Sequence, residues 1–227
     1  MVFIRVGLVG LPATGKSSVL SRMSQCKPDY DYVEEPLQNF NTFRTVDNDV
    51  IQPLSLFYSN DLEAGYFQLH AIKSFEYVMA RQCIKDTKEI DVQIWDRLPH
   101  EVDIFTNSLH SLGLIPRFGY ELCRKELQNI LHTKKFHLDG IYYIRTSPEE
   151  CYNRIHLRHR LMEVQYEHML RNLRVLYNFY ESALNNGTGM YNDICPVLVS
   201  QSDSVEGRTA ECLSFIHDIS TSRVLPS

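Results

Sequence analysis

The sequence predicts an α/β fold in three layers, with helices on both faces of a five-stranded parallel sheet. Three observations carry this prediction. Short apolar runs alternate with longer amphipathic segments along the chain. The short runs are apolar at nearly every position instead of every second one, as strands covered on both faces must be. Directly after the first run comes Gly10-Leu-Pro-Ala-Thr-Gly15-Lys16-Ser17, which fits GxxxxGK[ST] and is followed by a segment able to start a helix.

The elements follow in order. Phe3 to Val9 is the first strand, interrupted only by Arg5, and Ser18-Val19-Leu20 opens the helix behind the glycine-bearing loop. Tyr30 to Val33 is the second strand; Glu34, Glu35 and Pro36 follow it, and the proline bars helix continuation and holds the acid at a strand end. Leu62 to Lys85 sets Phe67, Ala71, Phe75, Val78 and Cys83 at helical spacing. Val92 to Trp95 is the third strand, closed by Asp96, and a helix over Pro99 to Leu112 comes next. Tyr120 to Thr133 reads as a helix and Gly140 to Ile144 as the fourth strand. Ser147-Pro148-Glu149-Glu150 then opens a helix reaching Arg158, with an N-cap serine, proline at the first helical position and acids in the first turn. Tyr166 to Leu184 is a long helix with Leu170, Leu173, Leu176, Tyr177 and Tyr180 on one face. Val197 to Ser200 is the last strand and Val205 to Ile219 the last helix.

Composition bounds what such a chain can do. The 227 residues are 44% apolar and 22% charged, with 10 Gly and 9 Pro, which excludes disordered and collagen-like chains and fits one domain over residues 1–227. A formal charge of -5 argues against broad capture of a nucleic-acid backbone and leaves room for a small anion at a local positive site. No apolar stretch reaches the ~20 residues of a membrane helix, and no secretory or mitochondrial leader pattern precedes the first strand, so the expectation is a cytoplasmic protein with no membrane partner. The six cysteines lie far apart with no CxxC pair, the pattern of reduced, packed thiols.

The loop motif has a chance frequency on the order of 1% in a chain this long. Its glycines let backbone N–H groups turn inward around phosphate oxygens, and the helix N-terminus adds a favourable dipole. Gly10, Ala13, Thr14, Gly15, Lys16, Ser17 and Ser18 are therefore the candidates to hold a phosphate donor. Lys16 is the point charge on the transferred group, and Ser17 offers a hydroxyl to Mg²⁺. Asp96, at a strand end, is the candidate carboxylate on the metal side, or alternatively a cap for the next helix. Asn-Lys-x-Asp and Asp-x-x-Gly signatures are absent, so the phosphate is expected to pass to a small acceptor. A basic cluster, Arg154, His156, Arg158, His159 and Arg160, lies within seven residues of an otherwise acidic protein and suits an anion.

These residues resemble the deoxynucleoside kinase family, the group of deoxycytidine, deoxyguanosine and mitochondrial-type thymidine kinases with the more distant herpesvirus thymidine kinases. The match runs from the phosphate loop to about Tyr180. It rests on Glu35-Pro36 with Phe40, Phe57-Tyr58 with Phe67-Gln68, Asp96-Arg97, and the stretch from Arg145 to Glu163. The resemblance implies a P-loop kinase fold with an Arg-rich lid over about 154–166, and transfer of the ATP γ-phosphate to the 5′-hydroxyl of a deoxynucleoside with Mg²⁺. Within it, Glu35 is the general base and Arg97 serves the base and the acceptor oxygen. Arg158 and Arg160 reach the transferring phosphate, Arg154 stacks on the donor adenine, and Tyr58 and Glu163 grip the 3′-hydroxyl. Gln68 reads the edge of the nucleobase, Phe40 stands in place of the family's usual Trp with Phe67 and Phe75 as further apolar walls for the ring, and the family forms homodimers, here expected through the Pro99–Leu112 and Tyr166–Leu184 helices. Where family members mostly carry acid, Arg, Ser, this chain has Asp96-Arg97-Leu98-Pro99, nearer to the herpesvirus pattern. Ala71 and Val102 stand where deoxycytidine-selective relatives place polar groups, which leaves room for a thymine methyl and favours a pyrimidine, thymidine or deoxycytidine.

Two other readings compete. A nucleoside monophosphate kinase of thymidylate-kinase type shares the loop, the Asp-Arg pair and the lid, but needs an arginine for the acceptor's phosphate, for which Arg44 is the candidate between Glu35 and Tyr58. A catalytically silent nucleotide-binding protein would have no use for an intact Lys16, Glu35, Arg97 and Arg160.

Overall fold

The computed structural model describes residues 3–60, 62–85, 92–133, 136–158, 168–185 and 194–224. Five parallel strands form the sheet: β1 (Ile4–Val9), β2 (Asp31–Val33), β5 (Val92–Asp96), β6 (Gly140–Tyr143) and β7 (Val197–Val199), in the order β2-β5-β1-β6-β7. Every pairing in it is parallel, so all carboxyl ends emerge along one edge, the edge at which such sheets bind ligands. The parallel α/β architecture read from the sequence is the one observed.

The strands are buried on both faces because alternate residues enter two different cores. Ile4, Val6 and Leu8 of β1 pack with α1 (Lys16–Cys26) and α9 (Val205–Val224), whereas Val9, Trp95, Ile141 and Tyr143 pack toward the opposite layer. That layer holds α4 (Ala64–Lys85), α5 (Glu101–Ser111), α6 (Arg117–Thr133), α7 (Pro148–Leu157) and α8 (Met169–Tyr180), the last continuing as a π turn over Glu181–Asn185. Arg5, the one charge in the first strand, lies near the amino end of this central strand: its guanidinium bonds Gln93 and the His137 carbonyl and stacks over Phe3 and Phe136.

Helix starts follow local chemistry. Ser147 Oγ caps α7 by accepting the Glu150 N–H at 3.2 Å, with Pro148 at the first helical position. α6 begins at Arg117, ahead of the expected Tyr120, directly behind Pro116. The expected start at Tyr166 lies outside the described residues, and α9 runs past the expected Ile219 to Val224. In α4 the buried stripe takes Ile72 and Met79 with Phe67, Ala71 and Phe75, leaving Val78 half-buried. Between β2 and α4 three elements too short for periodicity to announce fill the chain: α2 (Leu37–Asn41), a hairpin of β3 (Phe43–Arg44) with β4 (Val50–Ile51), and α3 (Pro53–Tyr58).

Cys123, Cys151, Cys195 and Cys212 are buried thiols and Cys26 is exposed, so packed cysteine is the rule among those described. No described helix is long and apolar enough to cross a membrane. α5 and α8, the helices expected to supply a face between subunits, pack against each other within the chain, and α4 and α6 carry the exposed large apolar side chains Tyr66, Tyr77, Phe118 and Leu122.

Candidate active site

The phosphate loop leaves the central strand β1 and enters α1. Three of its residues, Gly10, Ala13 and Gly15, hold positive φ at 146°, 65° and 97°. A Cβ on Gly10 would lie 2.6 Å from the Ile144 carbonyl oxygen, so only glycine lets the backbone turn there. In such a curl, N–H groups left without a partner can turn toward a bound anion. Lys16, almost fully buried, donates to the carbonyl oxygens of Gly10 and Leu11, each at 2.9 Å. Burial and then the neighbouring Arg97 lower its pKa to about 8, against the opposing pull of Asp96, Glu101 and Glu35. An anion in the loop would favour the charged form further.

Ser17 Oγ donates to Asp96 Oδ2 at 2.8 Å, joining the first turn of α1 to the end of β5. Asp96 does not cap α5, whose N-cap position is His100. Its Oδ1 is buried without a hydrogen-bond partner among the described residues, an orphaned hard oxygen of the kind a divalent cation satisfies. Ser17 and Asp96 thus fit Mg²⁺. No group of three or more His, Cys, Asp or Glu side chains placed to hold a metal occurs among the described residues.

Glu35 follows β2 and Arg97 follows β5. Arg97 Nε donates to Glu35 Oε1 at 2.6 Å, and only 18% of the Glu35 side chain is exposed. Glu34 points to solvent, as expected of the other acid. Burial raises the Glu35 pKa above the usual carboxylate range; Arg97 and Lys16 oppose the rise, and Asp96 and Glu101 reinforce it. Arg97 has φ 68°, a conformation uncommon for a residue with a side chain, and its N–H donates to the Leu8 carbonyl at 3.1 Å. Its Nη1 reaches the Gly10 carbonyl, Glu101 and the Tyr180 hydroxyl at 3.2 to 3.3 Å.

Beyond this pair the cavity, about 710 Å³, continues as an apolar chamber between α2, α3, α4 and α5. Phe40, Tyr58, Phe67, Gln68, Ala71 and Val102 all line it, so the sequence-derived acceptor residues that are described converge. Phe40 meets Phe67 and Phe75 edge-on at 6.0 and 6.2 Å, and Phe57 stacks on Phe67 at 4.8 Å. Gln68 is 4% exposed and lines the chamber. Arg44, the candidate for an acceptor's phosphate, sits on the exposed β3 strand and is not among the residues lining the cavity.

On the phosphate side Arg154 Nη1 donates to the Ala13 and Thr14 carbonyls at 3.4 and 3.1 Å, and Arg158, just past α7, also lines the cavity. Arg160, Glu163 and most of the expected lid lie outside the described residues. Three polar contributors escaped sequence reading. Arg208 of α9 is buried and donates to the Thr14 carbonyl at 2.9 Å from the flank of the loop facing Arg154. Glu101, an acid in a helix first turn, gave no signal beyond the ordinary preference for acids there. Tyr180 sat in the sequence as one more residue of an apolar stripe.

A family model for deoxynucleoside kinase matches residues 7–219. Mitochondrial thymidine kinase 2 of Homo sapiens is 26% identical over 194 residues, covering 84% of this chain and 68% of that protein. A protein named probable deoxycytidine kinase from fowlpox virus is 23% identical over 222 residues, 94% of this chain and 87% of its own. Among solved structures, a deoxyadenosine kinase from M. mycoides with bound dCTP superposes with a TM-score of 0.72 at 18% identity, covering 95% of this chain and all of that one, a likeness of fold. With the family model spanning nearly its whole length, over a phosphate loop joined to an apolar chamber, the chain belongs to the deoxynucleoside kinase family.

Proposed function

We propose that this kinase transfers the γ-phosphate of ATP to the 5′-hydroxyl of a pyrimidine deoxynucleoside, thymidine or deoxycytidine, with Glu35 as general base. The observation that carries the reading is Glu35 itself: a buried carboxylate bonded to Arg97, between the phosphate loop and the aromatic chamber. A sugar 5′-oxygen at that junction would have its proton within reach of Glu35 and the donor phosphate in line.

The roles divide along the cavity. Lys16 and the loop N–H groups hold the donor phosphates, Arg158 and Arg160 neutralise charge on the transferring group, and Arg154 serves the donor nucleotide. Mg²⁺ held by Ser17 and Asp96 would supply charge neutralisation between phosphate oxygens. Arg97 orients Glu35 and the acceptor oxygen, while Tyr58 and Glu163 take the 3′-hydroxyl. Gln68 can both donate to and accept from a pyrimidine edge, with the ring between Phe40 and Phe67. Ala71 and Val102 leave space beside the base, which supports a pyrimidine carrying a methyl, as does the likeness to a thymidine kinase.

The reading further takes residues 1–227 as one domain with a lid over about 154–166, acting in the cytoplasm as a homodimer. A species of about one chain mass, 26.5 kDa, in sedimentation at micromolar protein would reject the dimer. The deciding experiment is a phosphate-transfer and thermal-shift screen of the four deoxynucleosides and dTMP with ATP and Mg²⁺. Transfer to thymidine or deoxycytidine is expected. Transfer to dTMP alone, or to purine deoxynucleosides alone, would overturn the acceptor assignment.

A further inference from the structure

Arg97 has a second carboxylate. Glu101, in the first turn of α5, is 2% exposed, although a first-turn glutamate ordinarily faces solvent and favours the helix dipole from there. Here it is turned inward and takes four donors. Oε1 accepts from Arg97 Nη1 at 3.2 Å, from the Gly10 N–H at 3.4 Å and from the Tyr180 hydroxyl; Oε2 accepts the Leu98 N–H at 2.8 Å. Gly10 opens the phosphate loop, Arg97 holds Glu35, and Tyr180 comes from α8 and stacks on Tyr143 of β6 at 5.8 Å. One buried carboxylate therefore joins the phosphate cradle, the arginine behind the acceptor site and the neighbouring helix α8 of its own layer.

Arg97 needs such an anchor. Its backbone is held in the left-handed region, which a long side chain rarely occupies unless its surroundings over-determine it. Its guanidinium is a planar fork, so fixing Nη1 fixes the direction in which Nε meets Glu35. We propose that Glu101, backed by Tyr180, is a positioning residue for phosphoryl transfer: it locks Arg97 against Glu35 and ties that pair to Gly10 of the phosphate loop. The inference rests on the reading of Glu35 as the base. A misplaced base costs turnover much more than it costs binding, because the binding contacts of sugar and nucleobase lie elsewhere in the chamber.

The test is a double-mutant cycle of Glu35→Gln and Glu101→Gln, with kcat and both KM values measured on protein whose folding is checked by thermal unfolding. Glu101→Gln keeps the side-chain shape, and we expect kcat to fall about 10- to 100-fold with the nucleoside and ATP KM values within about threefold. In the Glu35→Gln background the same change should have little further effect. If Glu101→Gln does not fold, Tyr180→Phe gives the same readout by removing one hydroxyl, with a smaller loss in kcat alone. Parental kcat in Glu101→Gln, or in Tyr180→Phe should that stand in, with collapse in Glu35→Gln overturns this inference and leaves the base reading standing. So does an equal Glu101→Gln loss with and without Glu35, because the residue would then act independently of the base. Parental turnover in Glu35→Gln instead overturns the base reading itself.

Discussion

Glu35 and Arg97 stand in matching register on neighbouring parallel strands: each lies two residues past the Val33–Trp95 pair, and their side chains meet at 2.6 Å. The carboxylate is thereby held at the sheet edge beside the phosphate loop. Glu35→Gln should retain nucleoside binding and lose about 10²- to 10⁴-fold in turnover, because an amide cannot accept the hydroxyl proton. Arg97 keeps Glu101 as its anionic partner, so the variant is expected to fold. Radiolabelled transfer assays beside equilibrium nucleoside binding check this, and near-parental turnover would exclude Glu35 as the base.

Burial pushes the Glu35 pKa upward, with a defined consequence for pH dependence. The base works deprotonated, so kcat/KM should fall as pH drops through a limb lying above the usual carboxylate range. The residual rate of Glu35→Gln should lack that limb. A profile of the same shape in both proteins would show that another group titrates there.

The donor side gives a metal prediction. Asp96→Asn removes the charge opposite Ser17 while preserving the side chain's size. The Mg²⁺ concentration for half-maximal transfer should rise roughly 10- to 100-fold. Lys16→Ala, by contrast, should abolish transfer at any Mg²⁺ concentration. An unchanged Mg²⁺ titration for Asp96→Asn would remove it from the metal site.

The proposed grip of Tyr58 and Glu163 on the 3′-hydroxyl carries a prediction for the sugar. Without that hydroxyl, a phenol and a carboxylate assigned to it would lose their shared partner, a cost on the order of 1 to 3 kcal/mol. Analogues lacking that hydroxyl should be worse substrates by roughly 5- to 150-fold in kcat/KM for that energy range. Glu163→Ala should narrow the gap by harming the parent substrate more, whereas Glu167→Ala should leave it intact. Equal discrimination before and after Glu163→Ala would remove Glu163 from that role.

His100 links stability to acid. Burial lowers its pKa from 6.5 to about 4, so between those values the unfolded chain binds a proton that the folded chain refuses. Its contribution is fully present above pH 6.5 and is lost as pH falls toward about 4. Between pH 7.5 and pH 5 the loss should be about 2 kcal/mol. Urea unfolding at the two pH values measures it, and His100→Gln should reduce the pH effect by that amount; an identical pH effect in both proteins would refute the assignment.

The phosphate loop and the parallel sheet could be read from sequence because each rests on local rules. Gly10 and Gly15 are needed where the backbone turns to positive φ, and the strands betray their double burial by apolar residues at successive positions. The acceptor residues were legible only through resemblance, since nothing in the spacing of Tyr58, Gln68 and Val102 shows that α3, α4 and α5 wall one chamber. The short α2, the hairpin and α3 carry too few residues to display a period. α2 and α3 pack against each other and against α4.

What the sequence determined by itself is thus the architecture and the phosphate-binding loop, where backbone conformation and hydrogen-bonding groups follow from neighbouring residues. Only the tertiary structure decided the company that Arg97 keeps. Parallel register brings Glu35 alongside it, the first turn of α5 turns Glu101 inward, and α8 delivers Tyr180 to Glu101 from 79 residues away. A buried carboxylate must find donors wherever the fold supplies them, and no local pattern announces which they will be.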